Sequence, residues 1–592
     1  MELIYMSYNN DYVTKKDLTF STNVTVKEEL FSFIIEENTS NNIISNFFGE
    51  KISSVTAFIG KNGTGKTTNV CKPIMAQNWL TYDLIIFLKI DELLVFKNPL
   101  ISKKIENQTK YKLREITISD TRIGDGFQEI NSKSNEELND FIRLYYSSSY
   151  TETPFDTKSI NDDISTSGLI AKELSIIVGK ESEGKIEYSS NDSFTNFKFN
   201  DLRQQIEFLE SEIGKEFSTN LNLNTKINVS HSPSQIRVVE NQFENIELFS
   251  EFENSINKNL SNGLIDITSL PGAPRIAIIL WSFVYNISYT LKEEYLTFLR
   301  RKQINFYANT IELEEEDVNL NVFIGPLLEL LNSIIDHIED HFILRNGLNN
   351  IITNTSFSIP IEIGQRFINI HTNQLKEKIN NYNFKWNISS GEYSYLSLFS
   401  RLYGSDYRIQ NKYFLLVIDE GDTNFHPEWS RKYVNMLIKW IPKILSRAKS
   451  IQLVLTTHSP YVLSDLPASN VYTMKKENGK INIEHPNNST FGANIHDLLA
   501  NDFFMDEGFM GEFAKGKIQT VIDILNHKKI SKKKVINHQE IWNIIQLIGD
   551  TFLKQKMSSM FLSKFENLEL LEQELAKARA EVKRLENLNK KL

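Results

Sequence analysis

The sequence predicts an α/β fold: a mixed sheet with flanking helices, split by a long, mainly helical insertion and followed by a helical extension. Three observations carry this reading. Strand-like runs cluster at both ends of the first 500 residues, with helix-like patterns between them. A glycine-rich loop directly follows the apolar run SSVTAFIG (53–60). A second apolar run, Leu415-Leu416-Val417-Ile418, ends in Asp419-Glu420. The chain therefore divides into an N-terminal lobe (1–150), an insertion (151–385), a second lobe (386–500) and an extension (501–592).

Each element has a local cause. LIYMSY (3–8), LTFSTNVTV (18–26), LIIFLKI and LLVF (84–96) and YKLREITI (111–118) carry β-branched and aromatic residues at strand length. After Tyr146 the stretch 147–168 is polar and rich in turn formers, which predicts a linker or mobile loop. From 170 to 385 helical spacing dominates. Asn200 or Asp201 is placed to cap a helix with Leu202, Ile206 and Leu209 on one face. Pro274 opens another helix, and Pro326 a third with a stripe of Leu327, Leu331, Ile334, Ile338 and Phe342. The acidic ELEEED (312–317) reads as a solvated turn. Strands return at YFLLVIDE (413–420), IQLVLTTH (451–458) and VYTM (471–474). Between Leu568 and Leu592 apolar residues follow 3,4 spacing, which predicts a short heptad-repeat helix that either pairs between chains or packs on its own chain.

Composition narrows the function classes. The chain has 592 residues, 41% hydrophobic and 24% charged, enough for several packed domains. A single cysteine, Cys71, excludes a disulfide scaffold. The first residues lack the pattern of a signal peptide, and the most apolar run, Ile276 to Tyr285, is too short to span a bilayer. A cytoplasmic protein without membrane contact is the expectation. A formal net charge of −10 argues against a uniformly basic surface that coats nucleic acid.

The glycine-rich loop reads Gly60-Lys61-Asn62-Gly63-Thr64-Gly65-Lys66-Thr67, a full G-x4-G-K-[ST] pattern. Glycines let backbone N–H groups converge on an anion, and the following helix points its positive end at phosphate. Lys66 is expected to reach the β and γ oxygens of ATP, and the Thr67 hydroxyl to hold Mg2+. Gly60, Asn62, Gly63, Gly65, Lys66, Thr67 and Thr68 make up the expected binding loop. Asp419 is the second expected Mg2+ ligand, directly or through water, and Glu420 the group that polarises an attacking water. His458 ends the strand IQLVLTTH; it either bonds the γ-phosphate and that water or is satisfied by backbone. Upstream, Asn387-Ile388-Ser389-Ser390-Gly391-Glu392 precedes a helical run, making a second anion-binding tip with Ser389 and Gly391 as its contacts.

In this order the motifs resemble the ABC-type ATPase heads of the SMC and RecF group, and more narrowly the OLD-like AAA family ATPases of bacterial anti-phage defence. The resemblance covers about residues 1–100 and 385–500. It implies an ABC-type head in which the Ile388–Glu392 tip of one head closes on the γ-phosphate held by another. It also implies Asp419 and Glu420 at the Walker B places, His458 as switch histidine, and Gly421 to Trp429 as the D-loop with an HPEW continuation. Two positions depart from the family's signature: Ser390 stands for its second glycine and Glu392 for its final glutamine. Gln77, Gln108 and Gln128 are all in range of the Q-loop, and none has a distinctive context. The segment 491–518 resembles a stretch in the ATPase subunit of Septu systems, including retron-associated ones, a subunit that pairs with a separate HNH nuclease.

No nuclease chemistry is legible in the chain itself. Beyond His458 stand Glu484, Asp497, Asp502 and Asp506, with no D-x-D pair for two metals. His337 and His341 have a spacing that suits a transition metal, or simply form a charged outer helix face. His527-Lys528-Lys529 and Lys532 to Lys534 either contact DNA phosphate or form a solvated loop. The leading expectation is a slow, regulated ATPase subunit, forming a homodimer or higher homo-oligomer through its heads and controlling a partner nuclease, of HNH type if Septu-like. The alternatives are a RecF- or SMC-like repair ATPase that binds DNA directly, and a non-hydrolysing scaffold, against which the retained Asp419 and Glu420 speak.

Overall fold

In a computed structural model of the chain, the described residues are 1–8, 17–21, 23–38, 44, 46–75, 82–98, 100–117, 120–123, 127–130, 140–149, 163–173, 190–231, 356–370, 382–405, 412–501, 510–526, 538–565, 579 and 583. They fall into two compact units, Met1–Phe503 and Phe504–Leu592.

The first unit is built on a six-stranded sheet. Its order is β12 (Phe141–Ser147), β16 (Tyr413–Asp419), β17 (Ser450–Thr457), β5 (Ile52–Gly60), β18 (Val471–Glu477) and β19 (Lys480–Glu484). All neighbours run parallel except the last pair. Parallel strands covered on both faces read as continuous apolar runs, and all seven residues of β16 are buried. Period 2 then divides their side chains between two cores. Phe414, Leu416 and Ile418 enter one, together with Leu144 and Tyr146, Leu453 and Leu455, and Ala57 and Ile59. Leu415 and Val417 enter the other, with Phe141, Tyr145, Val454 and Phe58.

The first core is closed by helices Ser190–Glu210, Glu212–Leu221, Ser390–Ser405 and Pro427–Ile444. Its largest fully buried side chain, Trp440, has its ring edge-on to Phe217 at 5.3 Å. The second core is closed by the turn after the glycine loop and by a five-stranded sheet. That sheet runs β2 (Asp17–Thr19), β1 (Glu2–Tyr8), β6 (Tyr82–Lys89), β7 (Glu92–Lys97) and β9 (Lys112–Thr117). Its far face packs on β3 (Val24–Glu28), β4 (Ser32–Glu37) and β8 (Lys104–Asn107). A hairpin of β10 (Asp120–Ile123) and β11 (Phe127–Ile130) is separate.

Several expectations need correction. LTFSTNVTV is two strands in two sheets, β2 and β3. The helix assigned a start at Asn200 or Asp201 begins at Ser190, and Asp201 is buried in its middle, paired with Arg401. The described part of 151–385 is not helical throughout: β13 (Ile227–His231) lies between β14 (Ser356–Ile359) and β15 (Tyr382–Trp386). Ser147 completes β12, and Asp163 and Ser165 are buried, with Asp163 bridged to Tyr145, so the ends of the polar stretch 147–168 pack on the sheet. The helices expected after Pro274 and Pro326, His337 and His341, the lysine clusters at 528–534 and nearly all of the heptad tail lie outside the described residues.

Among the described residues of the second unit, the helices Glu512–Leu525, His538–Leu547 and Thr551–Phe565 pack around Val521, Leu525, Ile541, Trp542, Ile545, Met557 and Phe561. Among the described residues no helix is long and apolar enough to cross a membrane.

Asp465 ends the short helix Pro460–Asp465, and its Oδ2 is buried without a hydrogen-bond partner among the described residues. Burial pushes its carboxyl up to about 6. A carboxyl raised in the fold adds stability as pH falls from neutral through that value, and no more once the unfolded chain is protonated too. Asp465→Asn is therefore expected to raise the melting temperature at pH 8 by about 2–4 °C. In thermal melts across pH 4–8 it should also flatten the rise toward acid.

Candidate functional site

The carboxyl ends of four neighbouring parallel strands meet at one edge of the six-stranded sheet, the side on which open α/β sheets bind ligands. Register aligns Ser147 with Asp419, Asp419 with Thr456, and Thr457 with Ile59. One residue further on stand Gly60, Glu420 and His458.

β5 delivers the loop. Gly60 closes the strand where any β-carbon would lie 2.7 Å from the Met474 carbonyl. Asn62 and Gly63 form the exposed tip. Gly63 and Gly65 take φ of +78° and +77°, a left-handed backbone that strains other residues. At Gly65 a β-carbon would also meet the Asn69 amide at 2.1 Å. The chain then enters a wide helical turn, Thr67–Cys71, that continues as Lys72–Met75. Thr68 faces solvent.

Lys66 is the central side chain, 4% exposed. Its Nζ lies 2.6 Å from His458 Nε2, 3.4 Å from Glu420 Oε1 and 3.4 Å from the Gly60 carbonyl. His458 Nε2 is itself 3.1 Å from Glu420 Oε1. The three residues form a closed triangle over the loop. Burial pulls the Lys66 ammonium down, against the pull of Glu420. The hydrogen bond from His458, with help from Lys66, holds the Glu420 carboxyl below the usual carboxylate range. Glu420 has φ of +51°, an uncommon backbone for a residue with a side chain. Its N–H is fixed by the Thr456 carbonyl at 3.0 Å.

Asp419 is buried and accepts hydrogen bonds from neutral hydroxyls. Thr67 donates to Oδ2 at 2.6 Å, Tyr145 to Oδ2 at 2.9 Å and Thr456 to Oδ1. A buried carboxylate ringed by neutral donors, with no ion pair among the described residues, suits a cation. Thr67 and Asp419 are thus already in contact. Asp422 is held by the Thr457 hydroxyl at 2.6 Å, and burial raises its carboxyl.

The serine tip lies at the start of helix Ser390–Ser405. Ser389 N–H donates to Glu392 Oε2 at 2.7 Å, and Glu392 N–H to Ser389 Oγ at 3.3 Å, a reciprocal capping box. Glu392 therefore has a local task at the position where the family pattern has glutamine. Ser389 and Ser390 are exposed, while Gly391 is buried where a β-carbon would come within 2.9 Å of Trp429. Trp429, from the HPEW segment, and Phe425, just before it, pack on Tyr395 one turn into the helix. His426 caps helix Pro427–Ile444, accepting from Glu428 N–H at 3.3 Å.

The structure thus brings Lys66, Thr67, Asp419, Glu420 and His458 together, and places exposed Ser389 and buried Gly391 on a separate tip. Of the glutamines considered for the Q-loop, Gln77 lies outside the described residues. Gln108 pairs its N–H with Ile35 in the small sheet, and Gln128 lies in the separate hairpin. Tyr145 and Thr456 escaped the sequence reading. Thr456 was available as the residue two before His458; Tyr145 belongs to a strand, FIRLYYS, that was not recognised.

Residues 138–464, more than half of the chain, match a family described as "AAA domain, putative AbiEii toxin, Type IV TA system". The chain belongs to this AAA family. The matched stretch takes in the tip, the acidic pair and His458, and the glycine loop precedes it. The chain is also similar to a protein named "Retron Vc95 probable ATPase" from Vibrio cholerae serotype O1 biovar El Tor, 24% identical over 211 residues. That alignment covers 34% of this chain and 39% of the relative, so the chain spans about two fifths of that protein's length.

Proposed function

We propose that this AAA protein is the ATP-binding and ATP-hydrolysing subunit of a bacterial anti-phage defence complex. ATP closes two heads on each other, and the nucleotide state governs a separate partner nuclease, of HNH type if the system is Septu-like. The observation that carries the reading is the convergence of Lys66, Thr67, Asp419, Glu420 and His458 at one sheet edge. The retron-named relative supports the defence setting.

The residues' roles follow from their contacts. ATP draws Lys66 away from Glu420 and His458 onto the β and γ oxygens, a stronger charge-assisted partner. Glu420, freed from the ammonium, orients a water and takes its proton. His458 Nε2 is released at the same moment and turns to the γ-phosphate. Thr67 and Asp419 would hold Mg2+, which would supply charge neutralisation of the phosphate oxygens. The Ser389 hydroxyl accepts from Glu392 and keeps its own proton for a triphosphate on the opposing head.

The test uses the full chain copurified with the product of its neighbouring gene. Lys66→Ala is expected to weaken ATP binding by about 100-fold and to end hydrolysis. The same change should uncouple the partner's nucleic-acid cleavage from nucleotide. Cleavage that is equally ATP-responsive in Lys66→Ala would refute nucleotide control. Strongly salt-dependent duplex binding by the chain alone would favour direct DNA maintenance instead.

A further inference from the structure

Beneath the serine tip lies a buried polar network that the phosphate chemistry does not use. Helix Ser190–Glu210, within the insertion, contributes Asp201 and Gln205, one turn apart and joined by a bond from Gln205 Nε2 to Asp201 Oδ2 of 2.9 Å. Gln205 Oε1 accepts the Trp386 indole N–H at 2.6 Å, three residues before Ser389. Asp201 Oδ2 accepts the Tyr393 hydroxyl at 3.3 Å, four residues after it. Tyr393 N–H in turn donates to the Ser389 carbonyl at 2.9 Å. Arg401, three turns along the tip helix, donates Nε–H to Asp201 Oδ1 at 2.7 Å. The Arg401 Nη1 reaches the Ile164 carbonyl at 3.1 Å and Thr166 Oγ1 at 3.3 Å, and the guanidinium faces the rings of Tyr146 and Phe197.

Asp201, Gln205, Trp386 and Arg401 are all buried. Burial of the Tyr393 hydroxyl and the adjoining Asp201 push its phenol up to about 12, so it stays a donor at any working pH. Buried polar groups cost free energy unless paired, and these pair with one another. The segment carrying Ser389 is consequently gripped on both flanks by a single turn of the insertion's helix. Tilting it would break the buried Trp386–Gln205 bond or the part-buried Tyr393–Asp201 bond.

We propose that Asp201 and Gln205 are positioning residues for Ser389, holding the tip in the attitude in which it meets the triphosphate of the opposing head. This rests on the head-pairing reading above.

The experiment combines Trp386→Phe and Tyr393→Phe, which delete one N–H and one O–H and keep aromatic rings, in the Glu420→Gln full chain. Gln205→Leu in the same background cuts the grip from the helix side. Single-head affinity is read with a fluorescent ATP analogue, pairing by sedimentation velocity with ATP and Mg2+, and folding by thermal melt. Both variants are expected to keep the parent's nucleotide affinity, to lose about 2–4 °C of melting temperature for the buried partners left unpaired, and to weaken ATP-driven pairing by about tenfold or more. Loss of nucleotide affinity together with pairing would mark a general structural role only and overturn the proposal. Pairing as tight as the parent's would overturn it while head pairing stands. A Glu420→Gln parent that stays monomeric with ATP would remove the head-pairing reading itself, and this proposal with it.

Discussion

Glu420→Gln is expected to slow ATP hydrolysis by about 10²–10³-fold while leaving ATP bound at least as tightly as in the wild type. The rate loss follows from the task given to the carboxylate, since a neutral amide of the same shape cannot take the proton of the attacking water. The retained affinity follows from the nucleotide-free triangle. Glu420 Oε1 lies 3.4 Å from Lys66 Nζ and 3.1 Å from His458 Nε2, so ATP must win Lys66 from it. An amide competes less well for that ammonium than a carboxylate does. Single-turnover hydrolysis and equilibrium titration, measured side by side, separate the two effects. Hydrolysis at the wild-type rate would move the base elsewhere, and Asp422, buried beside Thr457, would be the next carboxylate to test. Weaker ATP binding would contradict the competition between ATP and Glu420 for Lys66.

Arg401→Met is expected to destabilise the first unit by about 3–5 kcal/mol, because it leaves the Asp201 carboxylate buried without its cation. Both partners of this ion pair are 3% exposed, and no water-facing rearrangement is open to them. Adding Asp201→Leu should recover most of the loss, since an apolar pair of similar volume is often as stable as a buried ion pair. Denaturant unfolding of the three variants reads this directly through the shift in midpoint. The double variant has a second use. It restores packing but deletes the acceptor of the Tyr393 hydroxyl, so it should fold well and still pair its heads poorly. Single and double variants that unfold alike would mean that Met and Leu do not repack the space left by the ion pair.

What the sequence made legible was local. The glycine pattern, the apolar run ending in Asp419-Glu420 and the strand ending in His458 each signal their own backbone, and together they locate the sheet edge. Alternation in LLVI could not show that Leu416 and Leu415 serve different cores, because a strand buried on both faces has no polar side. FIRLYYS was missed because Arg143 interrupts it and a polar stretch follows. Yet its register beside β16 brings Tyr145 to Asp419. Asp201 looked like a helix cap because aspartate favours that place. Its real partner, Arg401, is 200 residues away, and no local pattern reports such a pairing. Glu392 read as a departure from a family signature, and only geometry shows it closing a capping box with Ser389.

β13 and β14 have a consequence for how such a chain can vary. Ser230 and Ser356 are direct partners in the antiparallel ladder, so the chain leaves β13 and enters β14 at neighbouring points. The number of residues strung between those two serines therefore places no demand on the pairing of the strands, and a shorter or longer connection can join them without altering the register of β13.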